Sequence, residues 1–150
     1  MKHMSEKISY KYFHFTNEKS LLRIFDSLNI KKYNKAFLFL NGQVGSGKTT
    51  FVKLFMSYMN ADNQVTSPTF TLINEYKIKG NYIFHYDLYR LKSSRELLEI
   101  GIDHYLEQDG YHFFEWPQKF LSNLPRPDIE INFTILDYSR LIKVSFYSHE

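Results

Sequence analysis

Gly42, Gly47, Lys48 and Thr49 fall at the spacing G-x-x-x-x-G-K-[ST] within the stretch "GQVGSGKTTF", and Gly45 loosens the same turn further. Each residue type has a chemical use there. Glycines let the backbone wrap closely enough to aim successive N–H groups at phosphate oxygens, and a helix that begins at Lys48 turns the positive end of its dipole to the same place. The Lys48 ammonium can reach the outer phosphates of a nucleotide as a point charge, and the Thr49 hydroxyl is a hard oxygen ligand suited to Mg²⁺.

A phosphate-binding loop only binds. Hydrolysis or transfer needs a further acid near the metal and a group that orients the attacking oxygen. Two carboxylates qualify by position: Asp87 ends the apolar run "YIFHYD", and Glu115 ends "YHFFE". Strand ends deliver side chains to the edge of an α/β sheet where ligands bind, so the pair can serve Mg²⁺ and water activation. The alternatives are a turn-capping Asp and a surface Glu. The loop "TSPTFT" places Thr66, Ser67, Thr69 and Thr71 where hydroxyls would sense a terminal phosphate, or else simply forms a turn set by Pro68. His85, His104 and His112 lack the close spacing of a metal site and read as core or surface residues.

These side chains need a frame. "AFLFL", Ala36 to Leu40, reads as a strand buried on both faces that leads into the glycine loop, and a helix from Lys48 to about Met59 leads out of it. Upstream, Ile8 to Phe15 reads as a strand. Asn17 to Leu28 reads as an amphipathic helix with Leu21, Leu22, Phe25 and Leu28 on one face. "FTLINEYKI" and "NYIFHYDLY" form a hairpin across "KGN", a helix capped by Ser93 or Ser94 runs through "RELLEIG", and "YHFFEW" is a core strand stopped at Pro117. A second hairpin joins "DIEINFTIL" to "RLIKVSFY" across "DYSR". The expected fold is α/β: a single P-loop NTPase-like domain over residues 1–150, with a mixed central β-sheet and flanking helices.

Composition narrows the chemistry. With 150 residues and 43% hydrophobic content, the chain can bury a core of its own. Zero cysteines exclude thiolate metal sites and thiol catalysis. A net charge of +3 permits contact with RNA without arguing for it. The abundant aromatic residues alternate along strand-like runs and read as core. No apolar run is long enough for a membrane span and no leader pattern is visible, so a cytoplasmic location is expected.

The blocks "GQVGSGKTTF", "TSPTFTLINEY", "FHYDLYRL" and "FFEWPQK", in this order, closely resemble the TsaE family, small P-loop ATPases of tRNA threonylcarbamoyladenosine biosynthesis. The resemblance implies a chain that binds ATP with Mg²⁺ and hydrolyses it, weakly alone, on behalf of partners TsaD and TsaB; contact with tRNA is indirect or open. It further implies that Gly42, Gly45, Ser46, Gly47, Lys48, Thr49, Thr50, Ser67, Thr69 and Trp116 bind the nucleotide. Thr49, Asp87 and Glu115 would hold Mg²⁺, with Glu115 and Lys48 catalytic. Gln43, Val44 and Ser46 depart from the residues common in the family at positions that present backbone to phosphates. A nucleotide-gated binding module and a small-molecule kinase are the competing readings. The kinase is short of parts, with five arginines and no lid-like insertion.

Overall fold

The computed structural model describes residues 6–61 and 72–148. Ser67 and Thr69, with Thr66 and Thr71, lie outside the described residues.

Seven strands form one mixed sheet: β1 (Glu6–Phe15), β2 (Lys35–Asn41), β3 (Ile73–Ile78), β4 (Asn81–Asp87), β5 (Gly110–Glu115), β6 (Ile129–Ile135) and β7 (Arg140–Ser148). Their spatial order is β1-β7-β6-β2-β5-β4-β3. The four central strands β6, β2, β5 and β4 run parallel, and antiparallel partners close both sides. The helices are α1 (Lys19–Leu28), α2 (Lys48–Tyr58), α3 (Ser94–Glu99) and α4 (Ile102–Leu106). The arrangement is the expected α/β fold with a mixed sheet and flanking helices.

Parallel strands buried on both faces explain why "AFLFL" and "YHFFE" carry unbroken apolar runs. Alternation divides them between two cores. Leu38, Leu40, Ile83 and Phe113 join α1 and α2 on one face. Phe39, Phe84 and Phe114 join Leu97 of α3 and Ile102 of α4 on the other. Most phenylalanines are consumed here, in edge-on pairs such as Phe25 with Phe51 at 5.1 Å, as the aromatic content suggested.

Boundaries moved where local geometry outvoted pattern. On α1 the buried stripe is Leu21, Ile24, Phe25 and Leu28, whereas Leu22 is 51% exposed. At 100° per residue the i, i+3, i+4, i+7 set takes Ile24, and Leu22 falls one step round the helix. The hairpin β3–β4 turns on Lys79 and Gly80 alone, because Ile78 already faces Asn81. Ser93 is the residue that caps α3, accepting the Glu96 N–H at 3.3 Å. That helix stops early: Gly101 at φ +76° starts α4 as a separate element. No helix among the described residues is long and apolar enough to cross a membrane.

Candidate functional site

Strand β2 ends at Asn41 and helix α2 begins at Lys48, so residues 42–47 form the turn between them. Two of its glycines answer specific geometric demands. Gly47 caps α2 at φ +107°, a conformation that costs any side chain dearly. Gly42 packs against β6, where a Cβ would meet the Phe133 carbonyl at 3.0 Å and Ser46 Oγ at 2.5 Å. The loop therefore lies directly on the sheet edge, and the first N–H groups of α2 open towards the cleft beside it.

Strands β4 and β5 carry the acids to the same edge. Asp87 and Glu115 are register partners at the ends of these neighbouring parallel strands. Thr49 donates its hydroxyl to both Glu115 oxygens, at 2.8 and 3.0 Å. Behind the carboxylate lies His85, whose Nε2 is 2.5 Å from Glu115 Oε2. A ring nitrogen facing a carboxylate carries the proton, so His85 donates. Asp87 accepts the Tyr89 N–H at 3.2 Å, a turn-capping contact, and lines the cleft as well.

Lys48 is folded back on its own loop. Its ammonium donates to the carbonyls of Gly42 at 2.6 Å and Gln43 at 2.9 Å, and it sits 4.2 Å from the centre of the Trp116 ring. The Trp116 backbone takes the left-handed conformation, φ 62°, between Glu115 and Pro117. A bulky residue pays for that geometry. Two ring contacts offset the strain: the Lys48 cation, and Tyr89, whose ring lies 4.9 Å away. Lys119 steadies Tyr89 by donating to its carbonyl at 2.7 Å.

Electrostatics follow from this packing. Burial pulls the Lys48 ammonium below the ordinary lysine value, while the Glu115 and Asp87 carboxylates work in the opposite direction. Burial pushes the Glu115 carboxyl up, but the His85 hydrogen bond and charge, the Thr49 hydroxyl and the Lys48 charge together hold it below the usual glutamate range. The group is thus kept ionised, ready to accept hydrogen bonds.

Gly45, Gly47, Lys48, Thr49, Thr50, Asp87, Glu115 and Trp116 line one cleft, with Val44 and Tyr89 added to the set singled out in the sequence. Gly42 and Ser46 lie behind the loop rather than on the cleft wall. Ser46 Oγ is buried and has no hydrogen-bond partner among the described residues. His85 is part of the site instead of a plain core residue. Only its place two residues before Asp87, on the same face of the same strand, hinted at this. His112 is a core residue, and His104 is exposed on α4. Among the described residues no group of three or more His, Cys, Asp or Glu side chains is gathered for a metal.

The donor set fits a nucleotide carrying a divalent cation. Backbone N–H groups, one ammonium and a helix N-terminus suit phosphates; a hydroxyl and two carboxylates suit a hard cation. The Ser46 hydroxyl, orphaned among the described residues, and a lysine whose hydrogen bonds among them go to carbonyls of its own loop point the same way.

Known proteins resemble the chain across the region that builds this cleft. Residues 15–142 match the model of the family described as threonylcarbamoyl adenosine biosynthesis protein TsaE. A tRNA threonylcarbamoyladenosine biosynthesis protein TsaE of Haemophilus influenzae is 39% identical over 107 residues, 71% of this chain and 68% of that one. Its namesake in Rickettsia prowazekii is 34% identical over 128 residues, covering 76% and 88% respectively. The crystal structure of Bacillus subtilis YdiB superposes with a TM-score of 0.72 at 25% identity, over 98% of this chain and 90% of that one. With the match running from the last residue of β1 into β7 and taking in every described residue of the cleft, the chain belongs to the TsaE family.

Proposed function

We propose that the chain is a P-loop ATPase that binds and hydrolyses ATP with Mg²⁺, that TsaD and TsaB stimulate it, and that it supports their transferase in forming N6-threonylcarbamoyladenosine next to the anticodon of tRNA. The carrying observation is the Glu115 carboxylate, held ionised at the mouth of the phosphate loop with Thr49 on one side and His85 on the other. Family membership supports the pathway.

Each residue has a task in this reading. Backbone N–H groups of the loop and of the first turn of α2 bind the phosphates, and Lys48 leaves the carbonyls of Gly42 and Gln43 to pair with phosphate oxygens. Thr49 and Asp87 offer oxygen ligands; Mg²⁺, when bound there, supplies charge neutralisation at the phosphates. Glu115 orients the attacking water by accepting its proton in a hydrogen bond. Trp116 covers Lys48 and limits water at its flank. The single described body over residues 6–61 and 72–148 supports one ATPase domain, and the family's work on tRNA supports a cytoplasmic location.

A second reading is a nucleotide-gated binding module. Thr49 and His85 already occupy both oxygens of Glu115, the arrangement expected of a carboxylate that holds structure instead of activating water.

Steady-state ATP hydrolysis by the chain, alone and with TsaD and TsaB, separates the two, with Glu115→Ala as control. Stimulation that disappears in Glu115→Ala supports the ATPase. A background rate despite nucleotide binding and complex formation would sink it in favour of the binding module.

A further inference from the structure

The phosphate loop is gripped from outside by a residue that none of its own sequence motif contains. Arg140, the first residue of β7, donates from Nη1 to the Ser139 carbonyl at 3.0 Å and from Nη2 to the Gly45 carbonyl at 3.3 Å. One planar guanidinium thereby joins the β6–β7 turn to the middle of the loop, a two-pronged contact that the shape of Arg allows and a lysine cannot reproduce.

The gripped carbonyl belongs to a left-handed glycine in the middle of the loop. Gly45 stands at φ +78° with open space around its Cβ position, so no side chain of its own anchors the loop at this point. In a planar trans peptide the C=O and the following N–H point in opposite directions. Here the Ser46 N–H turns inward and closes a turn on the Gln43 carbonyl at 3.0 Å, and the Gly45 carbonyl turns outward to Arg140. A flip of that peptide would break the Ser46–Gln43 turn and set the Gly45 carbonyl against the Gln43 carbonyl, distorting the loop. The same hairpin already presses on the loop through Phe133, against Gly42 and edge-on to Phe51 at 5.5 Å.

We infer that Arg140 is a positioning residue for nucleotide binding: it locks the Gly45–Ser46 peptide with its carbonyl outward and adds a fixed positive charge behind the phosphate loop. This rests on the nucleotide-binding reading of the cleft. It assigns to the C-terminal hairpin a part in the site that the loop motif alone does not reveal.

The test is a calorimetric titration of the purified full chain with MgADP, together with its thermal midpoint in the absence of nucleotide. Wild type, Arg140→Ala, Arg140→Lys and Arg140→Gln are compared, with Lys48→Ala as the loss-of-site control. Removing one charge-assisted hydrogen bond predicts a roughly tenfold or greater loss of affinity in Arg140→Ala. Arg140→Lys recovers part of it, through charge without the fork, and the nucleotide-free midpoints of both stay at the wild-type value. Arg140→Gln carries the same expectation of weaker binding and takes the place of Arg140→Ala if the latter does not fold. Affinity equal to wild type in both Arg140→Ala and Arg140→Gln overturns the inference while leaving the nucleotide site intact. A loss that Arg140→Lys does not relieve, accompanied by a lowered midpoint, overturns it too, because it marks a general folding defect. A wild-type chain that binds no MgADP overturns this inference and the reading beneath it together.

Discussion

Thr49 Oγ1 lies 2.8 Å from one oxygen of Glu115 and 3.0 Å from the other, so a single hydroxyl spans the carboxylate that ends β5. The two residues are 66 positions apart, and the contact exists because β2 and β5 are parallel neighbours whose ends reach the same edge of the sheet. In the function we propose, the same hydroxyl also offers its oxygen to Mg²⁺, beside the Asp87 carboxylate.

Thr49→Val keeps the shape of the side chain and deletes that hydroxyl. Nucleotide affinity should fall roughly tenfold in the presence of Mg²⁺ and much less in EDTA, because one ligand and one charge-assisted bond are lost. Titrations with ADP under both conditions check this, and an equal loss in the two would show that Thr49 acts without the cation.

Trp116 is the only tryptophan of the chain, and its ring lies 4.2 Å from the Lys48 ammonium. Its emission should therefore change when nucleotide draws the ammonium towards phosphate, and Lys48→Ala should remove most of that response along with much of the affinity. A fluorescence titration with MgADP is sufficient. Identical responses in wild type and Lys48→Ala would mean that the lysine stays where it is.

Gly42→Ala forces a methyl group to 3.0 Å from the Phe133 carbonyl and 2.5 Å from Ser46 Oγ. The backbone of β6 cannot give way cheaply, so a cost of about 1 to 3 kcal/mol is expected in urea unfolding. Ser46→Ala deletes a buried hydroxyl with no partner among the described residues and should be neutral or slightly stabilising in the nucleotide-free chain. The double variant should be less damaged than the sum of the two, since the shortest contact, with Ser46 Oγ, is gone. Strict additivity would show that Ser46 rotates away freely.

Much of this site was legible because its parts are set by short-range rules. The loop motif fixes Gly47, Lys48 and Thr49 at the start of α2, and an apolar run that ends in an acid places Asp87 and Glu115 at strand ends. What was not legible depends on which strands become neighbours. His85 meets Glu115 only because β4 pairs with β5, and Arg140 meets Gly45 only because β6 pairs with β2 and carries the hairpin alongside the loop. In the sequence the distant Arg140 gave no signal. The exposed Leu22 and the break at Gly101 are local errors of another kind, one step of helical phase and one left-handed glycine.

His112 gives the fold a dependence on acid that is separate from the cleft. Its ring is fully buried between the two halves of a polar chain: Nε2 contacts the Gln108 carbonyl at 2.9 Å, and Nδ1 is 2.7 Å from the Tyr86 hydroxyl. A carbonyl only accepts, so Nε2 carries the proton and Nδ1 accepts from Tyr86. That is the neutral ring, and burial pushes the His112 pKa down to about 4 from an ordinary value of 6.5. Above pH 6.5 neither folded nor unfolded chain protonates this residue and it places no pH slope on stability. As the pH falls below 6.5 the unfolded chain takes up a proton that the folded one refuses until about 4, so stability is lost through that window and levels off beneath it. A gap of this size corresponds to roughly 3 kcal/mol once the pH lies below both values. Urea midpoints between pH 4 and 8 should therefore decline more steeply in wild type than in His112→Gln, which cannot titrate, even though His112→Gln starts from a lower stability at pH 8 because its amide fits the Tyr86 and Gln108 contacts less well. Parallel declines in the two proteins would mean that other groups, the carboxylates above all, carry the acid sensitivity.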